Sequence, residues 1–289
     1  MTGSQPQPLQ DKTVVITGAS AGIGAAAAVR LGALGAAVAV VGHSPEKTAA
    51  IARRIGGRAH VADFGRLDDV RRLAAELLDA YERIDILANN AGAIFTSRAA
   101  TADGHERTFQ VNHLAPFLLT GLLLPRLAEV GDARVINTAS DAYRSGHLDR
   151  DDLDGTRGRV PIRKAYPASK LATILFTREL ARRVHGTGVT TFAFHPGLIS
   201  TDLGRDSAII GRALTSRLAR RVLKTPDQGA EPLVHLATLA DPGSVNGAYF
   251  NRLELEEPVR GQAGDAELAR YLWERSEHLT GLAGERSGD

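Results

Sequence analysis

The chain reads as a doubly wound α/β protein: a single-domain Rossmann fold with a parallel sheet and helices on both faces. Three observations predict it. Short runs that are apolar along their whole length alternate with longer segments of helical periodicity, the pattern of a sheet covered on both sides. The first of these runs leads straight into a glycine-rich turn. No internal repeat, low-complexity linker or midpoint shift in composition divides the 289 residues, a length that suits one large domain with an ample core.

The polar stretch 1–10 (MTGSQPQPLQ) is expected to be a flexible tail, with the domain over 11–289. Residues 13–17 (TVVIT) predict a buried strand, followed by the glycine turn and an Ala-rich helix over 23–34. The run 37–41 predicts a strand, 45–55 a helix and 59–62 a strand. In 66–81 the apolar residues Leu67, Val70, Leu73, Leu77, Leu78 and Tyr81 recur at helical spacing. Strand 84–88, helix 103–128, strand 134–138, helix 165–184 and strand 189–194 follow, joined by right-handed crossovers. Two segments break the alternation: a polar stretch over 141–162 and an Arg- and Leu-bearing stretch over 198–225. Both follow strand C-termini, where open α/β sheets place ligands, so both are expected to face substrate.

Composition removes several classes of function. Without cysteine there is no disulfide framework, thiolate metal site or cysteine nucleophile. No run approaches the roughly 18 consecutive apolar residues of a membrane helix. The first ten residues lack the basic and apolar regions of a secretory signal. A cytoplasmic protein without membrane contact is the expectation. Net charge is only +2, the arginine pairs (53–54, 71–72, 182–183, 220–221) are scattered, and aromatics at 5% do not interleave with them, so nucleic acid is not an expected partner.

The turn after the first strand carries Gly18, Ser20, Ala21, Gly22, Ile23 and Gly24. Glycines let backbone turn sharply and approach a diphosphate, while the following helix offers unpaired N–H donors and partial positive charge. About twenty residues on, a site for NAD shows an acidic residue on the ribose 2′-hydroxyl. Here the second strand ends Val41-Gly42-His43-Ser44. With no carboxylate to repel a 2′-phosphate, and with His43, Ser44 and Lys47 able to meet one, NADP(H) is favoured over NAD(H).

Tyr166 and Lys170 stand four residues apart and so share a helix face. Tyrosine, with a reference pKa near 10, is a poor base at neutral pH, and a nearby ammonium favours its phenolate; Lys170 is therefore expected to lower the Tyr166 pKa. Pro167, tolerated in a first turn, places Tyr166 at the helix start. Ser140, just past strand 134–138, puts a hydroxyl where a substrate oxygen gathers charge.

The G-x-x-x-G-x-G spacing of Gly18, Gly22 and Gly24 resembles the cofactor motif of the short-chain dehydrogenase/reductases. The likeness extends through Asp63, Asn89-Asn90-Ala91-Gly92, Asn112, Ser140, Tyr166-Pro167-Ala168-Ser169-Lys170 and Pro196-Gly197 with Thr201. By that resemblance Asp63 bonds the adenine amino group, Asn90, Ala91 and Gly92 line the cofactor, and Asn112 holds a proton-relay water. Lys170 binds the nicotinamide ribose beside Tyr166, and Pro196, Gly197, Ile199 and Thr201 lie near the nicotinamide, with Thr201 on its carboxamide. A narrower likeness, in 111–120, 165–184, 195–197 and 269–282, is to the retinol dehydrogenase-like branch, which includes bacterial reductases similar to daunorubicin C-13 ketoreductase. The separation of Ser140 from Tyr166 (166 − 140 = 26) fits that branch. Homodimers and homotetramers are common among such relatives.

Other residues carry plainer readings. His195 is expected to be a backbone-bonded structural histidine. The histidines share no metal-ligand spacing, and Asp149, Asp151, Asp152 and Asp154 lack the EF-hand pattern, so no metal is expected. Leu198, Ile199, Leu203, Ile209, Ile210 and Leu214 suggest an apolar substrate wall. The expected function is an NADP(H)-dependent carbonyl reductase or alcohol dehydrogenase acting on a lipophilic or aromatic ketone, of the polyketide-type secondary metabolite kind. A different reaction on the same scaffold, such as C=C reduction, epimerisation or a non-redox rearrangement, and a non-catalytic dinucleotide sensor are the alternatives.

Overall fold

The structure is a computed structural model that describes residues 8–158, 161–198 and 224–285. Among the described residues, eight strands form one sheet: β1 (Thr13–Ile16), β2 (Ala37–Gly42), β3 (Arg58–Val61), β4 (Ile86–Asn89), β5 (Ala133–Thr138), β6 (Val189–His195), β7 (Tyr249–Asn251) and β8 (Glu254–Leu255). They lie in the order β3-β2-β1-β4-β5-β6-β7-β8, parallel throughout except for the last antiparallel hairpin. The order reverses between β1 and β4, which opens a crevice at their carboxyl ends.

Side-chain alternation along the strands explains why both faces are covered. Val14, Ile16, Val38, Val40, Ile86, Ile136, Phe192 and Phe194 point to one side, toward α1 (Gly22–Ala33), α2 (Pro45–Ile55) and, farther along the chain, the helix Pro226–Ala237. Val15, Ala39, Val41, Leu87, Val135 and Ala193 point to the other. There they meet α3 (Leu67–Ala80), α5 (Ala115–Val130) and α6 (Ile162–Arg183), with the helix Ala266–Thr280 packed outside through Leu272 and Trp273. We label the helices beyond α6 as α7 (Pro226–Ala237) and α8 (Ala266–Thr280), and the single turn Arg107–Phe109 as α4. The run Arg107–Val130 is long and apolar enough to cross a membrane, but its Leu114, Phe117, Leu118, Leu119 and Leu123 are buried within this core.

Three local features differ from the sequence expectation. The domain begins earlier than residue 11: Leu9 is buried and its N–H donates to the Leu34 carbonyl (2.8 Å), so the end of the polar stretch is part of the fold. The helix expected over 103–128 starts at Arg107, because the Glu106 carboxylate accepts from the Thr108 and Phe109 N–H groups, and it opens into a π turn at Gln110–Leu114. Helix α6 starts at Ile162 behind Pro161, so Pro167 lies inside the helix and Tyr166 in its second turn rather than at its start.

Candidate active site

The turn between β1 and α1 needs its glycines for reasons of space. Gly18 and Gly22 have φ of 66° and 58°, a region that penalises other residues. A Cβ on Gly24 would fall 2.5 Å from both the Gly18 carbonyl oxygen and Asn90 Nδ2, so only glycine lets α1 come this close. Among the described residues no side chain caps α1, and no acidic residue stands in its first turn, which leaves its first N–H groups and the positive end of the helix dipole open at Ser20, Ala21, Gly22 and Ile23. Asn90 ties the turn to β4: its Nδ2 donates to the Thr17 carbonyl (3.0 Å), and its own N–H and that of Ala91 both donate to Thr17 Oγ1 (3.0 Å each). This cradle fits a dinucleotide diphosphate in shape and charge.

At the end of β2, Gly42 cannot carry a side chain, since its Cβ would lie 2.3 Å from Thr48 Oγ1 and 2.8 Å from Ser20 Cβ. No carboxylate can occupy that position. His43 and Lys47 are exposed beside it and Ser44 is half-buried. Past β3, Asp63 Oδ1 accepts from Gly65 N–H (2.8 Å) and the Asp63 N–H donates to Asp69 Oδ2 (3.0 Å), fixing the carboxylate at the rim of the same crevice.

The remaining polar groups gather at the carboxyl ends of β4 and β5. Ser140 caps a 3-10 turn, Asp141–Ser145, its Oγ accepting from Ala142 N–H (3.2 Å), and its hydroxyl lies near enough to the Tyr166 phenol to favour the phenolate. Burial raises the Tyr166 pKa above the ordinary tyrosine value, and the Ser140 bond offsets only part of that rise. Lys170 is buried, 5.6 Å from the centre of the Tyr166 ring, with Nζ donating to the Thr138 carbonyl (2.7 Å). Burial lowers its pKa to about 8. The expected depression of the tyrosine by the lysine is therefore not found here: both groups are desolvated, each is pushed toward its neutral form, and the ammonium is held by a backbone carbonyl rather than by the phenol.

Asn112, in the π turn, is held by its neighbours. Its Oδ1 accepts from Ala93 N–H (2.8 Å), and its Nδ2 donates to the Ala93 carbonyl (2.9 Å) and to Ser169 Oγ (3.0 Å). It thus brackets the loop after β4 to α6. Gly92 lies between Asn112 and Lys170, and a Cβ there would be 3.4 Å from each of their polar ends. A cavity of about 10 Å³, the volume of one water, lies behind them between Asn89, Asn112, Asn137 and Thr138.

The family model for short chain dehydrogenase matches residues 12–208. The chain belongs to the short-chain dehydrogenase/reductase family. It is 40% identical to human retinol dehydrogenase 13 over 94% of this chain and 85% of that protein. It is also 43% identical to a Streptomyces sp. (strain C5) protein named for daunorubicin C-13 ketoreductase, over 94% of both. Among solved structures, a Mycobacterium paratuberculosis protein superposes with a TM-score of 0.77 at 34% identity, covering 96% of each chain. A Burkholderia cenocepacia short chain dehydrogenase in complex with NADP gives 0.66 at 32% identity, covering 85% of this chain and 97% of that one. The protein is an NAD(P)-dependent oxidoreductase acting on CH–OH or C=O groups.

The dehydrogenase places most of the anticipated site residues around one crevice: Gly18 to Gly24, His43 and Ser44, Asp63, Asn90 to Gly92, Asn112, Ser140, Tyr166 and Lys170. Pro196 and Gly197 (φ 94°) follow β6, where a cleft of about 310 Å³ is lined by Pro196, Lys224, Gln228 and Arg252. Ile199, Thr201, Leu203, Ile209, Ile210 and Leu214 lie outside the described residues, and Leu198 is exposed. His195 is buried, and its Nδ1 has no hydrogen-bond partner among the described residues, so it is not bonded to backbone there as expected. Burial lowers its pKa, keeping the ring neutral. Asp149 and Asp154 accept hydrogen bonds from N–H groups of their own loop. Thr17 and Thr48, the link of Ser169 to Asn112 and the anchoring of Lys170 on the Thr138 carbonyl were not legible in the sequence; a threonine signals nothing until its neighbours in space are known.

Proposed function

We propose that the protein is an NADP(H)-dependent carbonyl reductase whose substrate is a lipophilic or aromatic ketone, a secondary metabolite of polyketide type. The observation that carries this reading is the pairing of the Ser140 hydroxyl with the buried Tyr166 phenol, beside a Lys170 fixed on the Thr138 carbonyl. A tyrosine whose pKa is raised is fully protonated at neutral pH, the form a proton donor needs.

A dinucleotide held by its diphosphate in the glycine cradle would supply the hydride from its nicotinamide. In this reading Ser140 hydrogen-bonds the substrate carbonyl oxygen and polarises it, and Tyr166 gives that oxygen its proton as negative charge develops. Lys170 holds the nicotinamide ribose, Asn112 supports the proton relay that recharges Tyr166, and Asp63 meets the adenine. Two observations support the 2′-phosphate: Gly42 has no room for a carboxylate, and His43, Ser44 and Lys47 follow it in the chain, with His43 and Lys47 exposed. The NADP complex of the Burkholderia relative agrees. The lipophilic ketone is supported by the retinol and daunorubicin names of the relatives.

Fluorescence titration with NADPH and NADH, followed by a panel of ketones and aldehydes monitored at the NADPH absorbance, tests the proposal. Tighter binding of NADPH with turnover of bulky aromatic ketones is the expected result. Preference for NADH would overturn the cofactor assignment, and tight binding without turnover of any carbonyl would overturn the reductase reading.

A further inference from the structure

Ser140 faces Tyr166 from the N-cap of a single 3-10 turn, Asp141–Ser145, immediately before its first residue. So short a turn has few bonds of its own, and whatever grips it sets where the serine hydroxyl stands. On one side it is pressed against the start of α6. Lys164 Nζ donates to the Ser145 carbonyl (2.9 Å), and a Cβ on Gly146 would lie 2.5 Å from the carbonyl oxygen of Pro167, the neighbour of Tyr166.

On the other side the grip comes from the C-terminal hairpin. Tyr143 OH donates to Glu256 Oε1 (2.8 Å), and the Arg144 guanidinium donates to Glu256 Oε2 (2.6 Å) and bonds Asp141 Oδ1 (3.3 Å). Tyr249 OH donates to the same Asp141 oxygen (3.1 Å). Tyr143 and Tyr249 are fully buried with their rings edge to face, 5.1 Å between centres. Glu256 follows directly on β8, and its N–H donates to the Tyr249 carbonyl (2.9 Å). Through β7 the hairpin is paired to β6, so the carboxylate is anchored to the main sheet independently of the turn it holds. Charge-assisted bonds of this length, partly shielded from water, are among the stronger ones a protein makes.

We propose that Glu256 is a positioning residue for Ser140: by holding Tyr143 and Arg144 from the C-terminal hairpin, it fixes the turn that presents the serine hydroxyl to Tyr166 and to the substrate oxygen. This rests on the reading of Ser140 and Tyr166 as the reacting pair. Misplacement of a reacting group by a fraction of an ångström to an ångström is costly to turnover while leaving cofactor and substrate contacts elsewhere intact. Glu256 itself need touch neither substrate nor cofactor.

The test is a double-mutant cycle on steady-state ketone reduction, using Glu256→Ala and Tyr143→Phe, each alone and combined with Ser140→Ala. Tyr143→Phe deletes only the hydroxyl and keeps the ring, so it decides the matter should Glu256→Ala fail to fold. Glu256→Ala is expected to lower kcat about tenfold, with KM and the NADPH Kd within about twofold of wild type. In the Ser140→Ala background the same change is expected to cost less than about twofold, because no serine hydroxyl remains to be positioned. Tyr143→Phe follows the same pattern with a smaller loss. An equal fall in both backgrounds would show a merely structural role and overturn the proposal. So would unchanged kcat in the Glu256 and Tyr143 single variants while Ser140→Ala is crippled. Full turnover by Ser140→Ala would instead overturn the reading of the site on which the proposal rests.

Discussion

Tyr166 is where the chemistry of this chain is concentrated, and its environment fits an acid better than a base. Burial favours the neutral phenol, so the side chain is loaded with its proton at physiological pH. Tyr166→Phe removes that hydroxyl and keeps the ring; turnover is expected to fall about 10²–10⁴-fold, while NADPH titration gives an unchanged Kd. A variant that turns over at the wild-type rate would remove tyrosine from the reaction. The identities of Tyr166, Lys170, Ser140 and Asn112 were legible in the sequence because their types and order are informative on their own. Their electrostatics were not. The direction of the tyrosine shift depends on how much protein surrounds the phenol and on Lys170 being turned to the Thr138 carbonyl, and neither is written in a spacing of four. At the end of β2 the sequence showed that a carboxylate is absent, but only the packing of Thr48 and Ser20 against Gly42 shows that one would not fit.

Among the elements, the turn from β1 to α1 has the least tolerance. Gly24→Ala would drive a methyl into the Gly18 carbonyl and the Asn90 amide, each 2.5 Å away, so the first turn of α1 must move off the crevice. Overpacking of this kind costs about 1–3 kcal/mol, and where the strain falls on the cradle NADPH affinity is expected to drop roughly tenfold or more, measured by the same titration. An unchanged Kd would mean that the diphosphate does not rest there. Strands β1, β2 and β4 were legible because apolar residues dominate them, as in buried parallel strands; β3 (RAHV) is half exposed and carries a weaker signal. The β7–β8 hairpin was not: Tyr249–Asn251 and Glu254–Leu255 are too short to show a period, and their pairing to β6 is fixed in three dimensions. The π turn at Gln110–Leu114 was equally invisible, since one extra residue in a helical turn leaves apolar spacing almost unchanged. That element sets Asn112 between Ala93 and Ser169.

On the scale of the whole molecule, the C-terminal helix α8 is joined to the body through an aromatic group of Phe117, Phe176 and Trp273 around a buried histidine. The Ser276 hydroxyl donates to the Leu272 carbonyl (2.7 Å), so His113 Nε2–H donates to Ser276 Oγ (2.8 Å) and the ring is held neutral. Burial lowers the His113 pKa to about 3. Between pH 6.5 and about 3 the unfolded chain therefore binds a proton that the folded chain refuses, and stability falls as pH falls through that window. His113→Phe keeps an aromatic ring and removes the titration. Denaturant unfolding across this range is expected to give a variant whose stability depends less steeply on pH than wild type, by about 1.4 kcal/mol per pH unit. Parallel pH dependences would place His113 among solvated groups. The doubly wound layout itself was legible from the alternation of elements. The attachment of α8 was not, because a tail helix shows an apolar face without showing what it meets.

Reduction of a carbonyl at the Ser140–Tyr166 pair would form alcohol and consume NADPH together, and the most direct measurement follows both. Bulky aromatic ketones are incubated with NADPH and wild-type protein or Tyr166→Phe, and alcohol formed is compared with NADPH consumed. One alcohol per NADPH with wild type, and none above background with Tyr166→Phe, is the predicted result. NADPH consumed without alcohol, or alcohol formed equally by both proteins, would contradict it.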